Sequence, residues 1–135
     1  MVLDMYPEDR LAQFHTAADE PFYVSLDAEG RKRFLDLRMS LIAEEYKELM
    51  DELLDARNGD GDPQNLAKEM ADLMVVVVGT AQLMDMPFTH VFNEVMDSNM
   101  SKVSENGKIL RREDGKILKP ETYRPADLSF IKSPA

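Results

Sequence analysis

Apolar residues recur three and four apart through most of the chain, the period of helices that bury one face. Residues 8–19 put Leu11, Phe14 and Ala18 on one side and stop short of Pro21, which predicts a short first helix. After the connector "PFYVSLDAEG", a stripe of Leu35, Ile42, Tyr46, Leu49 and Leu53 predicts a long amphipathic helix over about 27–57. "NGDGDP" ends it, dense in turn formers. Residues 64–84 predict a third helix that is apolar almost all round after Asp72, as a helix in the middle of a bundle reads. Asp85 or Met86, with Pro87 as first helical residue, opens a fourth to about 103. In "ILRREDGKIL", Asp114-Gly115 between two β-prone runs predicts a hairpin with a two-residue turn, or an extended tail. The expected architecture is an all-α bundle of about four main helices, one domain over 1–135.

Composition narrows the chemistry. The 135 residues contain no cysteine, which excludes a disulfide framework, a thiolate metal site and a cysteine nucleophile. "MVLDMYPEDR" has neither a basic nor an apolar leader region, and no apolar run is long enough for a membrane span. A cytoplasmic protein is expected. A net charge of −10 argues against nucleic acid and anionic membranes as partners. Residues 102–124 hold seven cations against four acids, a surplus of three, so the rest of the chain carries −13. An acidic body with one basic segment suits an anion whose charge a metal partly neutralises; chance charge on an exposed hairpin is the plainer reading.

The acids of "LIAEEYKELMDELLD" are too dense for an ordinary helix face, since like charges one turn apart repel. With Ile42 at the centre of the stripe, Asp51 and Asp55 point to solvent. Glu45 and Glu52 lie at the stripe's edge, and Glu48 lies further round the same flank. Glu45 and Glu48 are neighbours three residues apart, and on the third helix Glu69 and Asp72 repeat that spacing. Two carboxylates heading a buried face are costly unless paired, protonated or bound to a cation. Lys68, one residue off that face, is not expected to pair with both. Two such helices side by side would gather four hard oxygen ligands, a set suited to Mg²⁺ or Mn²⁺.

Glu45-x-x-Glu48 followed by Glu69-x-x-Asp72 resembles the paired-acid signature of the MazG-like all-α nucleoside triphosphate pyrophosphatases. "FNEVMDSNMSK" is similar to the Asn-x-x-Lys element of that family, at Asn99 and Lys102. The ending "REDGKILKPETYRPADL" and the early Phe14-His15 resemble a subgroup related to all-α dUTPases. The resemblance implies a homodimer or homotetramer that hydrolyses a nucleoside triphosphate to monophosphate and pyrophosphate, a nucleotide-pool housecleaning activity. It implies Glu45, Glu48, Glu69 and Asp72 as Mg²⁺ ligands, with Glu45 or Glu44 orienting or deprotonating the attacking water. Lys102 would neutralise phosphate charge and Asn99 would bond phosphate or ribose. Arg38 stands on the flank of Glu45, as a substrate contact or a salt-bridge partner, and His15 is a candidate contact to the base. Which base is chosen is left open among dUTP or another pyrimidine nucleotide, non-standard nucleotides, and phosphoribosyl-ATP.

Rival readings fare worse. Asn58, Asp60, Asp62 and Glu69 fit a calcium loop, but Pro63 stands where the loop needs glycine. A di-iron bundle needs Glu-x-x-His pairs, and neither His15 nor His90 has an acid three residues before it. Asn99 and Lys102 also suit a plain helix C-terminus, His90 reads as structural, and the ten methionines read as core filler or subunit interface. A non-enzymatic helical dimerisation module is the remaining alternative. With four helices exposing more apolar face than one small bundle covers, at least a dimer is expected.

Overall fold

The computed structural model describes residues 7–132; residues 1–6, on which the reading of a leader-free start partly rests, and 133–135 lie outside the described residues. Four α-helices follow one another: α1 (Pro7–Ala17), α2 (Ala28–Arg57), α3 (Pro63–Leu83) and α4 (Phe88–Met100), with a 3-10 turn at Tyr23–Ser25 before α2. The architecture is all-α. No single described helix is long and apolar enough to cross a membrane. The chain divides into two compact units, Met1–Met86 and Pro87–Ala135.

In the first unit, local chemistry sets the helix ends. The Asp27 carboxylate accepts the Gly30 N–H and opens α2, and Asp62 does the same for Gln64 at the start of α3, with Pro63 at the first helical position. α2 closes at Gly59, whose φ of +85° lets the N–H of Gly59 reach Ala56 O and that of Asp60 reach Asp55 O. α1 and α3 end in the same bonding pattern, but with Asp19 (φ +53°) and Asp85 (φ +60°) in the left-handed position that glycine fills more easily. α2 and α3 are antiparallel: Arg38 bonds Val76 and Thr80, while Glu52 bonds Asn65. α1 packs against α3.

The face of α2 that meets α3 overlaps the predicted stripe at Leu35, Ile42 and Leu49, which are half-buried, but is turned toward Phe34 and Arg38. Phe34 and Arg38 are buried, whereas Tyr46 and Leu53 are exposed. On α1, Leu11 and His15 are buried, while Phe14, expected inside, is 62% exposed. Periodicity gives the width of an apolar face, but the contacts between two packed helices decide which part of it they share. The buried apolar core of the described residues is correspondingly thin: Leu11, Phe34, Val78 and Leu83.

In the second unit, Pro87 flanks α4 as its N-cap and is not its first helical residue. The hairpin expected around Asp114-Gly115 is reduced to one antiparallel bridge, Arg111 with Ile117, and its turn has three residues. Arg112 N–H bonds Lys116 O, Gly115 N–H bonds Arg112 O, and Gly115 sits at φ +87°, so the positive φ follows the turn and does not form its centre. The same turn occurs eight residues earlier: Ser104 N–H bonds Lys108 O, with Gly107 at φ +78°. "SENGKIL" and "REDGKIL" are thus a structural repeat, each with an Asn106 or Asp114 side chain accepting the N–H two residues on. The tail ties back to α4 through Ser98 Oγ to Arg124 O, at 2.8 Å, and a stack of His90 on Phe130 with ring centroids 4.0 Å apart.

Candidate active site

Antiparallel packing of α2 on α3 converts two local spacings into one cluster. Glu45, Glu48 and Glu69 each offer a carboxylate oxygen, and the three atoms lie within 4.8 Å of one another. Glu69 is buried, Glu45 half-buried and Glu48 exposed, so the group opens to solvent on the Glu48 side. The Oε2 atoms of Glu45 and Glu69 are buried and accept no hydrogen bond from the described residues. Buried carboxylate oxygens without a donor carry a desolvation cost that a cation would remove. Burial first, and then the charges of Glu48 and Asp72, a hydrogen bond with Glu48 and the charge of Glu69, raise the Glu45 pKa above the usual carboxylate value.

Asp72 flanks this trio. Its Oδ2 lies 2.6 Å from Lys68 Nζ, and the same ammonium is 3.6 Å from Glu69 Oε1. Lys68 therefore does pair with both acids of its helix, contrary to the expectation. A flexible four-carbon stem spans one turn as readily as one residue. One exposed ammonium cannot neutralise four carboxylates, and it leaves Glu45 Oε2 and Glu69 Oε2 without a donor. An all-oxygen donor set with orphaned buried atoms fits a hard divalent cation such as Mg²⁺. Glu44 is exposed and stands outside the three-acid group.

A second polar centre lies further along α3, around Gly79. Arg38 is buried without a carboxylate partner among the described residues: its Nε donates to Thr80 Oγ1 at 2.8 Å and its Nη2 to Val76 O at 3.0 Å. Burial lowers its pKa, and the charge of Glu20 opposes this. The salt bridge considered for Arg38 is thus replaced by bonds to α3. His15 is buried as well, with Nδ1 2.9 Å from Gln82 Oε1. Because Gln82 Nε2 donates to the Glu8 carbonyl, its Oε1 is left to accept from His15 Nδ1–H. The two side chains meet over Gly79, where a Cβ would come within 3.0 Å of the His15 ring and 3.2 Å of Arg38 Nη2. Gln82 was not among the expected site residues. Its signal is a polar side chain in an otherwise apolar helix, which needs a partner when buried.

Asn99 and Lys102 belong to the second unit and bond one another, Lys102 Nζ to Asn99 Oδ1 at 3.0 Å. Lys102 and Lys119 both stand over the Tyr123 ring, 5.9 and 4.9 Å from its centroid. Neither lysine is in an ion pair among the described residues.

No curated protein matches the chain. The family model described as phosphoribosyl-ATP pyrophosphohydrolase matches residues 10–99, which include both acid pairs and Asn99. That family lies within the MazG-like all-α pyrophosphatases and cleaves acid anhydrides. With two thirds of its length matched, and with the paired acids of α2 and α3 inside the match, the chain belongs to the phosphoribosyl-ATP pyrophosphohydrolase family, and is an enzyme of the pyrophosphohydrolase class.

Proposed function

We propose that the protein hydrolyses the α–β phosphoanhydride of a nucleotide triphosphate group with Mg²⁺, releasing pyrophosphate and leaving a monophosphate. The observation that carries the reading is the trio of carboxylates within 4.8 Å, two of them with a buried oxygen lacking any donor. Mg²⁺ held by Glu45, Glu48, Glu69 and Asp72 would neutralise the triphosphate and offset charge on the leaving pyrophosphate. Mn²⁺ has the same ligand preference. Water attacks the α-phosphorus, the bond to the bridging oxygen breaks, and the proton of the water passes to a first-motif carboxylate. Glu45, half-buried within the carboxylate trio, takes that role ahead of Glu44, which is exposed outside it. Lys102 bonds phosphate oxygens, oriented by Asn99, and Arg38 and His15 bind the nucleoside end.

Phosphoribosyl-ATP, a triphosphate itself, is the substrate that the family name favours. A dUTP-like pyrimidine nucleotide is the second reading, because the tail that suggests it, beyond residue 99, lies outside the matched segment. The test is incubation with Mg²⁺ and a panel of phosphoribosyl-ATP, canonical, deoxy and uridine-type triphosphates in ¹⁸O-water. Label in the monophosphate with release of pyrophosphate supports the reading, and the fastest substrate names the base. Release of single orthophosphates indicates a phosphatase, and no turnover indicates a regulatory module.

A further inference from the structure

Gln82 is a half-buried amide that ties α1 to α3 at two points. Its Nε2 donates to the Glu8 carbonyl at 2.8 Å, and its Oε1 stands 2.9 Å from His15 Nδ1. Glu8 and His15 are seven residues apart, about two turns, so both lie on the same face of α1. A helix carbonyl points toward the C-terminus while side chains lean back toward the N-terminus, which lets one amide reach both. The two bonds have a fixed direction. A carbonyl only accepts, so the bond to Glu8 fixes the NH₂ end of the amide and turns its oxygen to the imidazole. That oxygen in turn fixes the ring, because a flipped imidazole would face it with a C–H and leave a part-buried acceptor without a donor. Away from Gln82 the ring meets Gly79, where a Cβ would come within 3.0 Å of His15 Nε2 and 3.2 Å of Arg38 Nη2. The imidazole and the guanidinium thus border one small space. Between Leu73 and Met84, Thr80 and Gln82 are the only polar side chains, and each holds one of the two: Thr80 bonds Arg38 and Gln82 bonds His15.

We propose that Gln82 is a positioning residue for substrate selection. By holding the His15 imidazole in one orientation over Gly79, it sets the edge that the ring, beside Arg38, presents to the nucleoside end of the substrate. The inference rests on the assignment of His15 and Arg38 to that end. Gln82 itself touches no substrate and acts through His15. An apolar side chain would pack α1 on α3 as the neighbouring Leu83 does, buried to 1%. Only an amide offers the donor and the acceptor on one plane that anchor to Glu8 and orient the ring together.

Steady-state kinetics of the full chain with Mg²⁺ and the fastest triphosphate of the panel test it, beside inhibition by inorganic tripolyphosphate, which has the phosphates and no nucleoside. Gln82→Leu, similar in size and unable to bond, is expected to raise KM about 3–10-fold, the worth of one hydrogen bond. The turnover number should change less than KM, and the tripolyphosphate inhibition constant should not move. Equal shifts in KM and in that constant mark a merely structural tie and overturn the proposal. In a His15→Ala background, Gln82→Leu should add no more than about 2-fold; its full effect there also overturns the proposal. A wild type that turns over no triphosphate sinks the reaction itself, whereas an active wild type with an unchanged Gln82→Leu variant sinks this inference alone. ¹H–¹⁵N NMR of the two histidines, with His15 assigned by its loss in His15→Ala, gives a readout that needs neither turnover nor a folded Gln82 variant. The wild type should show a proton on His15 Nδ1 that exchanges slowly with water, and a His15 ring protonated on Nε2 alone overturns the proposal.

Discussion

Glu45 and Glu69 occupy positions where a carboxylate is a liability to the folded chain and an asset to its chemistry. Glu45→Gln, Glu69→Gln or Asp72→Asn is expected to lower Mg²⁺-dependent turnover by more than the about 10–100-fold that outer partners of a metal ligand cost. The two Gln variants are expected to leave the metal-free protein folded and at least as stable, because each removes one of several repelling charges. Turnover assays beside thermal unfolding in chelator check both halves, and a variant near wild-type rate removes that acid from the site. The sign of the pH dependence follows from the raised Glu45 pKa. Native Glu45 binds its proton more tightly than the unfolded chain does, so its own contribution to metal-free stability is greatest at low pH. The Glu45 contribution falls as pH rises from the ordinary glutamate value of 4.5 through the raised one. Melting curves in chelator across that range should show the decline, and Glu45→Gln should flatten it. The acid pairs themselves are legible because three-residue spacing is local; the Lys68 bond to both Glu69 and Asp72 is not, because rotamers choose it.

Three helices close on a residue with positive φ, and only α2 uses glycine there. Replacing Asp19 by glycine relieves a left-handed L-residue, a conformation costing roughly 1–2 kcal/mol for most side chains and less for Asp, while adding freedom to the unfolded chain. A net gain of about 0.5 kcal/mol is expected from denaturant titration, and Gly59→Ala should lose about 1 kcal/mol. Gly79→Ala tests α3 against its neighbours. Alanine gains about 1 kcal/mol of helix propensity, but its methyl meets His15 and Arg38, both anchored by hydrogen bonds and unable to yield freely. A net loss of about 1–2 kcal/mol is expected, and an unchanged or raised melting temperature would show that the pair over Gly79 is loosely held. The stops at Pro21 and "NGDGDP" were readable because Gly, Pro and Asp act through their own φ and caps. The burial of Phe34 and Arg38 in place of Tyr46 was not, since both faces lie within the same broad amphipathic pattern.

For the whole molecule, metal and fold are linked through one cluster. A cation that binds only the folded chain stabilises it by about 2.7 kcal/mol at a hundred times its dissociation constant. Mg²⁺ titration should therefore raise the melting temperature of the wild type, and Glu69→Gln should remove the rise. A wild type indifferent to Mg²⁺ would count against the metal site. The segregation of charge, −13 outside residues 102–124, is a property of the chain before it folds. Four buried apolar residues among the described ones are few for a chain that is 44% hydrophobic.

The sequence by itself determined the helices, their order, their end signals and the two acid pairs, because each depends on spacing within a few residues and on intrinsic φ preferences. It also carried enough of the family pattern to imply an anhydride hydrolase. Only the tertiary structure decided that Glu45 and Glu48 share a cluster with Glu69 while Lys68 holds Asp72, that Arg38 bonds α3 where a carboxylate was considered, and that Tyr46 and Leu53 of the α2 stripe face outward. These are outcomes of how two helices rotate about their axes when they pack. The rotation is set by summed contacts such as Arg38 with Thr80 and Glu52 with Asn65, distant in sequence and invisible to any local period.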